Sequence, residues 1–302
     1  MKLRELAFVM LLTCAAGLVV RNAPAQSTPV APDEKLRALI IDGQNNHAWR
    51  QTTPLLRQVL ESSGRFVVDV ATSPRQRADM SGFRPRFADY QVVVSNYNGD
   101  RWPRETEQAF DSYVAGGGGF VVYHAANNAF TDWPEYNRIC GLGGWNGRNE
   151  KAGPLVYYND AGELQRDTSA GNSGHHGPQH EFQIRVRDKE HPITKGLPQV
   201  WMHTRDELYD TLRGPAAGLH VLATAYSAPD REGTSRHEPM LMTIEYGQGR
   251  VFHTALGHAD YSIKCIGFMT TFARGAEWAA TGKVTIPVPD DFPTADKSRS
   301  RE

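Results

Sequence analysis

Four consecutive glycines at residues 116–119 precede the short apolar segment 120–123, and His124 follows at once. Glycine adopts the positive φ angles of a tight turn without steric cost, so the chain can enter a buried strand abruptly here. In α/β proteins, groups that do chemistry lie just beyond the carboxyl ends of such strands. The segment therefore predicts a central strand that delivers His124 to a crevice. A core histidine bonded to a backbone carbonyl is the alternative interpretation.

Strand-like segments alternate with helical patterns through the first half of the chain. Strands are predicted at residues 36–41, 66–71, 90–95 and 120–123, and helices at 50–63 and after Pro103. This alternation is typical of an α/β fold with a mostly parallel central sheet and flanking helices in flavodoxin-like layers. In the C-terminal half, strand candidates follow one another at 181–186, 219–225, 239–246 and 250–256, and a helix closes the domain at 262–281. Residues 247–249 suggest a hairpin turn, so we expect antiparallel additions there.

The first 25 residues have the pattern of a secretory signal peptide. Lys2 and Arg4 precede an apolar run at residues 6–20, and Ala23-Pro-Ala25 resembles a signal-peptidase site. The run of about 15 residues is shorter than the roughly 20 that a membrane span needs. We therefore expect a periplasmic or secreted protein that is cleaved near Ala25. A lipid anchor at Cys14 is disfavoured, because threonine precedes this cysteine where a lipoprotein signal has a smaller residue.

The remainder of the chain predicts a single domain at residues 36–284. Residues 26–35 and 285–302 lack hydrophobic periodicity, so both ends are expected to be flexible. Residues 141–180 form a long insertion rich in glycine and asparagine, with one strand-like piece at 154–158. A loop of this length inside a compact domain is usually either functional or mobile.

The charge and cysteine content limit the partners of the chain. The net charge is −1 and there is no long basic run, which argues against nucleic acid and against a membrane surface. A small neutral molecule is the expected partner. After the predicted signal peptide only Cys140 and Cys265 remain; they could pair in an oxidising compartment or be isolated buried residues. The sequence does not determine the oligomeric state.

Polar residues follow several of the predicted strands and are expected to meet at one edge of the sheet. His258 comes directly after Gly257 at the end of the last strand, so it can share a crevice with His124. Imidazole transfers protons near neutral pH or coordinates a divalent metal such as zinc, and a carboxylate can act with it. We select Glu207, beside Asp206, as this carboxylate, although a solvated acidic turn is the alternative. His124, Glu207 and His258 are therefore the candidate catalytic residues.

The candidate metal ligands are His124, His258 and His47. His47 follows the first strand, but Asn46 and His47 could equally begin the next helix, which would leave His47 facing solvent. Three further histidines, His175, His176 and His180, lie close together in the long insertion. Their spacing is too loose to identify a metal site.

Aromatic rings and hydrogen-bonding side chains accompany these positions along the sequence. Such a mixture suits sugars, which have apolar faces and hydroxylated edges. The candidate substrate-binding residues are Asp42, Asn127, Trp133, His203, Tyr209 and Asp260. Trp145 and Trp201 are further aromatic candidates for the same pocket.

Several common catalytic motifs are missing from the sequence. There is no Gly-x-Ser-x-Gly elbow, no Walker loop, no Gly-x-Gly-x-x-Gly after the first strand and no His-Glu-x-x-His helix. Hydride transfer with a dinucleotide and nucleotide hydrolysis are therefore not expected.

Five segments of the chain occur together in one known family. They are Leu39-Ile-Ile-Asp-Gly43, residues 116–124, Glu190-His-Pro-Ile-Thr-Lys-Gly-Leu197, Asp206-Glu-Leu-Tyr-Asp210 and Gly249-Arg-Val-Phe-His-Thr-Ala-Leu-Gly-His258. In this combination the chain resembles the ThuA-like (trehalose utilisation) proteins of the class I glutamine amidotransferase-like superfamily. The likeness extends over residues 36–281, and it implies a glutamine amidotransferase-like fold.

The resemblance also implies a change of chemistry. In the amidotransferase relatives, the strand end that matches His124 carries a nucleophilic cysteine, and a histidine and a glutamate complete the catalytic triad. Neither Cys140 nor Cys265 follows this strand, so glutaminase activity is not expected although the fold is retained. The family implies carbohydrate metabolism instead, with disaccharides or their 3-keto derivatives as substrates. His124, Glu207 and His258 stand at the family's matching polar positions.

A keto sugar needs a base that removes the proton next to its carbonyl and a group that stabilises the resulting enolate. Our hypothesis assigns proton transfer to Glu207 or His258 and polarisation to His124, directly or through a metal. This chemistry would serve a sugar-processing isomerase, lyase or hydrolase. A non-catalytic carbohydrate-binding or sensing protein and a purely structural relic are the alternatives.

Overall fold

The computed structural model describes residues 35–302. The expected signal peptide, the anchor at Cys14 and residues 26–34 of the expected flexible N-terminus lie outside the described residues. The strands are β1 (Leu36–Asp42), β2 (Phe66–Thr72), β3 (Val92–Ser95), β4 (Gly119–Tyr123), β5 (Leu155–Tyr158), β6 (Leu164–Asp167), β7 (His180–Val186), β8 (Val200–Asp206), β9 (Leu219–Ser227), β10 (Arg236–Tyr246) and β11 (Gly249–Thr254). The helices are α1 (Trp49–Ser62), α2 (Arg104–Ala115), α3 (Pro134–Cys140), α4 (Asp260–Ile263) and α5 (Ile266–Thr281).

These strands form one mixed sheet within residues 35–302. Its order is β2-β1-β3-β4-β11-β10-β9-β7-β8, and the β5–β6 hairpin pairs with β10. The neighbours from β2 to β11 are parallel, whereas every pairing from β11 to β8 is antiparallel. The α/β class is confirmed, but the prediction of a mostly parallel sheet was wrong.

The connections between strands explain this mixture. α1 joins β1 to β2 and α2 joins β3 to β4, and such crossovers are what allow neighbouring strands to run parallel. From β5 to β11, the described chain passes between strands without an α-helix. Strands joined by short links pair antiparallel, as β10 and β11 do across the turn that contains Gly247. The helical alternation of the first half therefore did not extend to the second.

Helices cover both faces of the parallel strands. Successive residues of a strand point to opposite faces, so Gly119 and Phe120 identify the two layers. Gly119 lies against the backbone of Ala279 in α5, whereas the Phe120 ring lies 4.9 Å from Phe110 in α2 and 6.2 Å from Tyr136 in α3. The expected layering of helices around a central sheet is present in this half of the fold.

The parallel strands all end at the same edge of the sheet. β1 ends at Asp42, β3 at Ser95, β4 at Tyr123 and β11 at Thr254. The segments that follow these strands therefore meet at this edge, as they do in other open α/β sheets. The polar residues identified in the sequence after β1, β4 and β11 belong to this set of segments.

Arginine side chains attach the long insertion at residues 141–180 to the domain. Arg148 is buried and donates hydrogen bonds to the carbonyls of Asn128 (3.0 Å), Ala129 (2.6 Å) and Gly144 (3.0 Å). Arg213 donates to the carbonyl of Ser169 at 2.7 Å. The expected strand-like piece is β5, and it pairs with β6, which the sequence pattern did not reveal. Backbone–side-chain hydrogen bonds thus replace the apolar periodicity that the insertion lacks.

The C-terminal segment 285–302 also lies against the domain. The backbone N–H groups of Thr285 and Ile286 donate to the Glu277 carboxylate at 2.7 and 3.0 Å. Met202 N–H donates to the carbonyl of Thr294 at 2.8 Å, and Phe292 is buried in the core. One buried ring and backbone hydrogen bonds therefore hold this segment against the domain, although its sequence has no hydrophobic period.

Cys140 and Cys265 are both buried and unpaired, so they behave as isolated core residues. None of the helices in residues 35–302 has the length and apolar character of a membrane span.

Candidate functional site

His124 occupies the first position after β4, where the chain turns sharply. Its φ is 44°, an uncommon value for a residue with a side chain, and the residue is almost fully buried. His124 Nδ1 lies 2.7 Å from the carbonyl oxygen of Ala255, which can only accept, so Nδ1 carries the hydrogen. His124 Nε2, the other ring nitrogen, lies 2.9 Å from the Tyr209 hydroxyl and points towards Glu207. One nitrogen of the ring is therefore bonded within the core, and the other belongs to the site.

Three imidazoles converge on one oxygen of Glu207. The distances to Glu207 Oε2 are 3.0 Å from His258 Nδ1, 3.5 Å from His124 Nε2 and 3.6 Å from His47 Nε2. The His47 ring lies edge-on to both others, with centroids 4.9 Å from His124 and 4.7 Å from His258. One nitrogen of each ring and one carboxylate oxygen lie within 4.8 Å of one another. This is the spacing at which four ligands could surround one metal ion.

Two atoms of this group are buried without a hydrogen-bond partner, namely Glu207 Oε2 and His258 Nδ1. Their separation is short, but their orientation does not form a hydrogen bond. Buried polar atoms in folded proteins nearly always have a partner, so such a pair indicates a missing cation, proton or ligand.

The electrostatics of the group favour an ionised carboxylate. Burial alone would raise the pKa of Glu207, but the nearby imidazoles of His124, His258 and His47 outweigh it and hold the pKa well below its usual range. Burial lowers the pKa of His47, which favours its neutral form. Burial also acts to lower the pKa of His258, but the Glu207 carboxylate outweighs this effect and raises it. A neutral imidazole beside an ionised carboxylate is a donor set suited to a divalent cation.

Asp206 connects the end of β8 to the segment that carries His258. Asp206 Oδ2 accepts from His203 Nε2 at 2.7 Å and from Gly257 N–H at 2.7 Å. Oδ1 accepts from the backbone N–H of Glu207 at 2.9 Å and of His258 at 3.0 Å. A single carboxylate therefore positions the backbone of two site residues. Burial alone would raise the pKa of Asp206, but the hydrogen bond from His203 outweighs it and lowers the pKa.

We expect Asp206→Asn to lower the free energy of unfolding by about 3 kcal/mol, because it breaks a fully buried charge pair and leaves donors without an acceptor. Urea denaturation of the two proteins measures this loss. Asp188→Asn is the matched control, since Asp188 pairs with His220 at 2.8 Å in a partly exposed position where an ion pair contributes about 1 kcal/mol or less. Equal losses in the two variants would contradict the role given to Asp206.

A cleft of about 940 Å³ opens above Glu207. Its volume lies within the range of small-molecule sites. Its lining combines two tryptophans with amides, cationic side chains and the site residues. The side chains concerned include Asn45, Asn46, His47, Trp49, Arg50, Arg75, Asn98, Asn128, Trp145, Asn146, His176, Glu207, Tyr209 and His258.

Some of the residues that were selected from the sequence line the cleft, and others do not. His47, Glu207, Tyr209 and His258 line the cleft, and His124 lies just beneath Tyr209. The candidate substrate-binding residues Asp42, Asn127, Trp133, His203 and Asp260 do not line it. Asp42 accepts from the Thr72 hydroxyl at 2.6 Å, Asn127 Nδ2 lies 3.2 Å from His253 Nε2, and Trp133 packs in an aromatic cluster with Phe130. His203 forms a hydrogen bond with Asp206, and Asp260 is exposed at the start of α4.

The sequence did not identify several residues of the cleft, of which His176 is the most informative. His176 Nε2 lies 3.6 Å from Glu207 Oε1, and its ring stacks on Tyr209 with centroids 6.0 Å apart. Its two neighbours in the histidine cluster are engaged elsewhere: His175 Nδ1 pairs with Asp210 at 3.0 Å, and His180 Nδ1 with the carbonyl of Pro178 at 2.9 Å. For the other residues that line the cleft, the sequence offered one signal, the asparagines that follow β1 and β3.

Comparisons with known proteins agree on one family. The family model ThuA, described as trehalose utilisation, matches residues 37–279. A solved protein of Parabacteroides merdae described as ThuA-like is 53% identical, covers 89% of this chain and 98% of its own, and superposes with a TM-score of 0.86. A second protein described as ThuA-like, from Bacteroides uniformis, is 18% identical over 86% of this chain and 97% of its own, with a TM-score of 0.55, and shows the shared fold. No curated protein matches the chain significantly.

The matched region begins in β1 and ends in α5, so it contains every residue of the histidine–carboxylate group. The chain therefore belongs to the ThuA family of trehalose utilisation proteins.

Proposed function

We propose that this protein is an enzyme that acts on disaccharides or their 3-keto derivatives by proton transfer at a divalent metal centre. The observation that carries the proposal is the convergence of His47, His124 and His258 on one buried oxygen of Glu207. The family's link to trehalose utilisation supplies the substrate class.

The donor set and its support fit a metal such as zinc. Zinc takes imidazole nitrogen and carboxylate oxygen ligands in tetrahedral sites, and outer hydrogen bonds orient those ligands. The Ala255 carbonyl fixes the ring of His124, and Asp206 holds the backbone of His258. The unpartnered Glu207 Oε2 and His258 Nδ1 are atoms that a cation would satisfy.

The side chains around this centre supply proton donors and acceptors. A bound metal would polarise a carbonyl or hydroxyl oxygen of the sugar. Glu207 would be the base for the proton next to that carbonyl through Oε1, the oxygen on which the three imidazoles do not converge, and His258 would be the base only in a centre that it does not ligate. The Tyr209 hydroxyl lies 2.9 Å from His124 Nε2, lines the cleft and would supply a proton donor to the substrate.

The cleft supports a carbohydrate as the ligand. Trp49 and Trp145 offer apolar surfaces for a sugar face, while Asn46, Asn98 and Asn146 offer amide groups for hydroxyls. The same lining would also serve a protein that binds or senses a sugar without converting it. This non-catalytic alternative shares the pocket with the enzyme and differs from it only in turnover.

We expect the metal-loaded wild-type protein to convert trehalose or 3-keto-trehalose, and His124→Ala to lose turnover by at least about a hundredfold, since it removes a group at the reacting centre. Chromatographic product analysis and calorimetric binding measure the two properties separately. His220→Ala, a change at a partly exposed histidine outside the cleft, is the control and should retain both. Binding without turnover would replace the enzyme by the sensor, and the absence of both would overturn the carbohydrate assignment.

A further inference from the structure

A second cavity of about 390 Å³ lies beside the start of the inserted loop and shares no lining residue with the main cleft. Four cationic side chains contribute to its wall: Arg138, Arg148, Lys151 and Arg213. None of its lining residues is acidic. Arg138 is paired with Glu135 at 3.1 Å, and the other three cations form no salt bridge within the described residues, in a protein whose net charge is −1.

Two of these cations are buried without a carboxylate. Arg148 is 4% exposed and Arg213 is 2% exposed, and neither forms a salt bridge among the described residues. Buried arginines are normally paired, because removing an ion from water costs several kcal/mol. Neutral carbonyl and amide oxygens accept their hydrogen bonds, and Glu150 and Asp167 interact with Arg213 only at longer range.

The donors of Arg213 are incompletely used, whereas each Nη atom of Arg148 donates to two oxygen atoms. Arg213 Nε is buried and has no hydrogen-bond partner, while Arg213 Nη1 reaches the Gly153 carbonyl only at 3.4 Å. Burial lowers the pKa of Arg148, as expected for a cation without a counter-ion. Lys151 is exposed at the rim and also lacks a carboxylate within salt-bridge distance in the described chain.

We propose that this cavity is a binding site for a phosphate group, either free or as a monoester. Planar guanidinium groups match the oxygen atoms of phosphate and form charge-assisted hydrogen bonds with them. The volume accommodates phosphate together with a small attached group. The site also adjoins the cleft through one residue, because Arg148 bonds the carbonyl of Asn128, whose side chain lines the cleft. The inference does not depend on the function proposed above.

Isothermal titration with inorganic phosphate at constant ionic strength tests the site in the full protein. We expect one saturable event per chain, and a weakening of about tenfold in a Lys151→Gln, Arg138→Gln double variant, because two cations at the rim are removed. Both side chains are exposed, and the pair that Arg138 forms with Glu135 is itself on the surface, so the urea unfolding curve should change little. A matched Arg50→Gln, Arg75→Gln variant removes two exposed cations of the main cleft and should bind phosphate as the wild type does.

The same titration with glucose 6-phosphate separates the two sources of the group. Tighter binding than phosphate assigns a monoester, and equal or weaker binding assigns the free ion. No saturable binding of either ligand would overturn the proposal. It would also fail if the Arg50, Arg75 pair weakened binding and the Lys151, Arg138 pair did not.

Discussion

The purified protein is expected to bind one divalent cation per chain, and Glu207→Gln to weaken that binding by at least about a hundredfold. Glutamine keeps the size of the side chain but removes the negative charge on which three imidazoles converge. Loss of outer-sphere support alone typically costs ten- to a hundredfold in metal affinity, so loss of a direct ligand should cost at least the upper value. Zinc titration against a competing chelator measures the affinity, and elemental analysis the stoichiometry.

The histidine ligands provide an independent arm of this test. A His124→Ala, His258→Ala double variant should contain no stoichiometric metal. A double variant of His175 and His220 to alanine is the matched control, because neither side chain belongs to the ligand group. The metal assignment would be refuted by a wild-type protein that stays metal-free after incubation with zinc, or by equal affinity in Glu207→Gln.

The ends of the parallel strands were the most predictable part of this molecule. The glycines before β4 and the apolar residues within it fix where the strand ends, and His124 follows from that alone. The same argument gave His258 after β11. β8 was missed because four polar residues at 203–206 follow its three apolar residues, and two of them, His203 and Asp206, are buried only because they pair with each other. In the antiparallel half the turn at 247–249 was the one local signal used, and it predicted the antiparallel pairing of β10 with β11; the order of the other strands had no such signal.

Side-chain direction limited the prediction of the cleft. Asn127 was selected, but the adjacent Asn128 lines the cleft, because the chain forms a tight 3-10 turn after β4 and successive residues point in different directions. From the sequence, His47 could equally have lain at the start of α1 and faced solvent. Ala48 is the residue before that helix and makes no side-chain cap, which leaves the ring of His47 free to face Glu207.

His176 was hidden for a different reason. It lies in the long insertion, and its approach to Glu207 depends on how that insertion is attached to the domain. Hydrogen bonds of Ser173 to the carbonyls of Gly143 (2.7 Å) and Thr211 (3.2 Å) provide part of this attachment. Such contacts join residues far apart in sequence, so neither spacing nor periodicity reveals them.

Glu238 is a buried carboxyl outside the site, and we expect it to make stability fall as pH rises. It is 3% exposed on β10, and Oε1 accepts from the Thr234 hydroxyl at 2.8 Å. Burial raises the pKa of Glu238 to about 8, partly opposed by Thr234. In the unfolded chain a glutamate has a pKa of about 4.3, so between these two pH values the folded state holds a proton that the unfolded state has lost.

The sign of the effect follows from this difference in bound protons. The unfolded state binds fewer protons than the folded state between about pH 4.3 and pH 8, so the free energy of unfolding decreases across that window. This difference in pKa between the folded and unfolded chain corresponds to about 5 kcal/mol of unfolding free energy over the whole window. The loss of stability stops once the carboxyl ionises in the folded protein as well. The contribution is therefore fully present below about pH 4 and is gone above about pH 8.

Glu238→Gln should remove this dependence, because glutamine stays neutral and retains an acceptor for Thr234. Relative to the wild type, the variant is expected to gain several kcal/mol in free energy of unfolding on going from pH 5 to pH 8. Urea denaturation at a series of pH values measures the difference between the two proteins, in which the other titrating groups cancel. Glu245→Gln, an exposed carboxyl on the same strand, is the matched control and should follow the wild type at every pH. Parallel curves for Glu238→Gln and wild type would mean that water or a rearranged partner keeps Glu238 ionised in the folded protein.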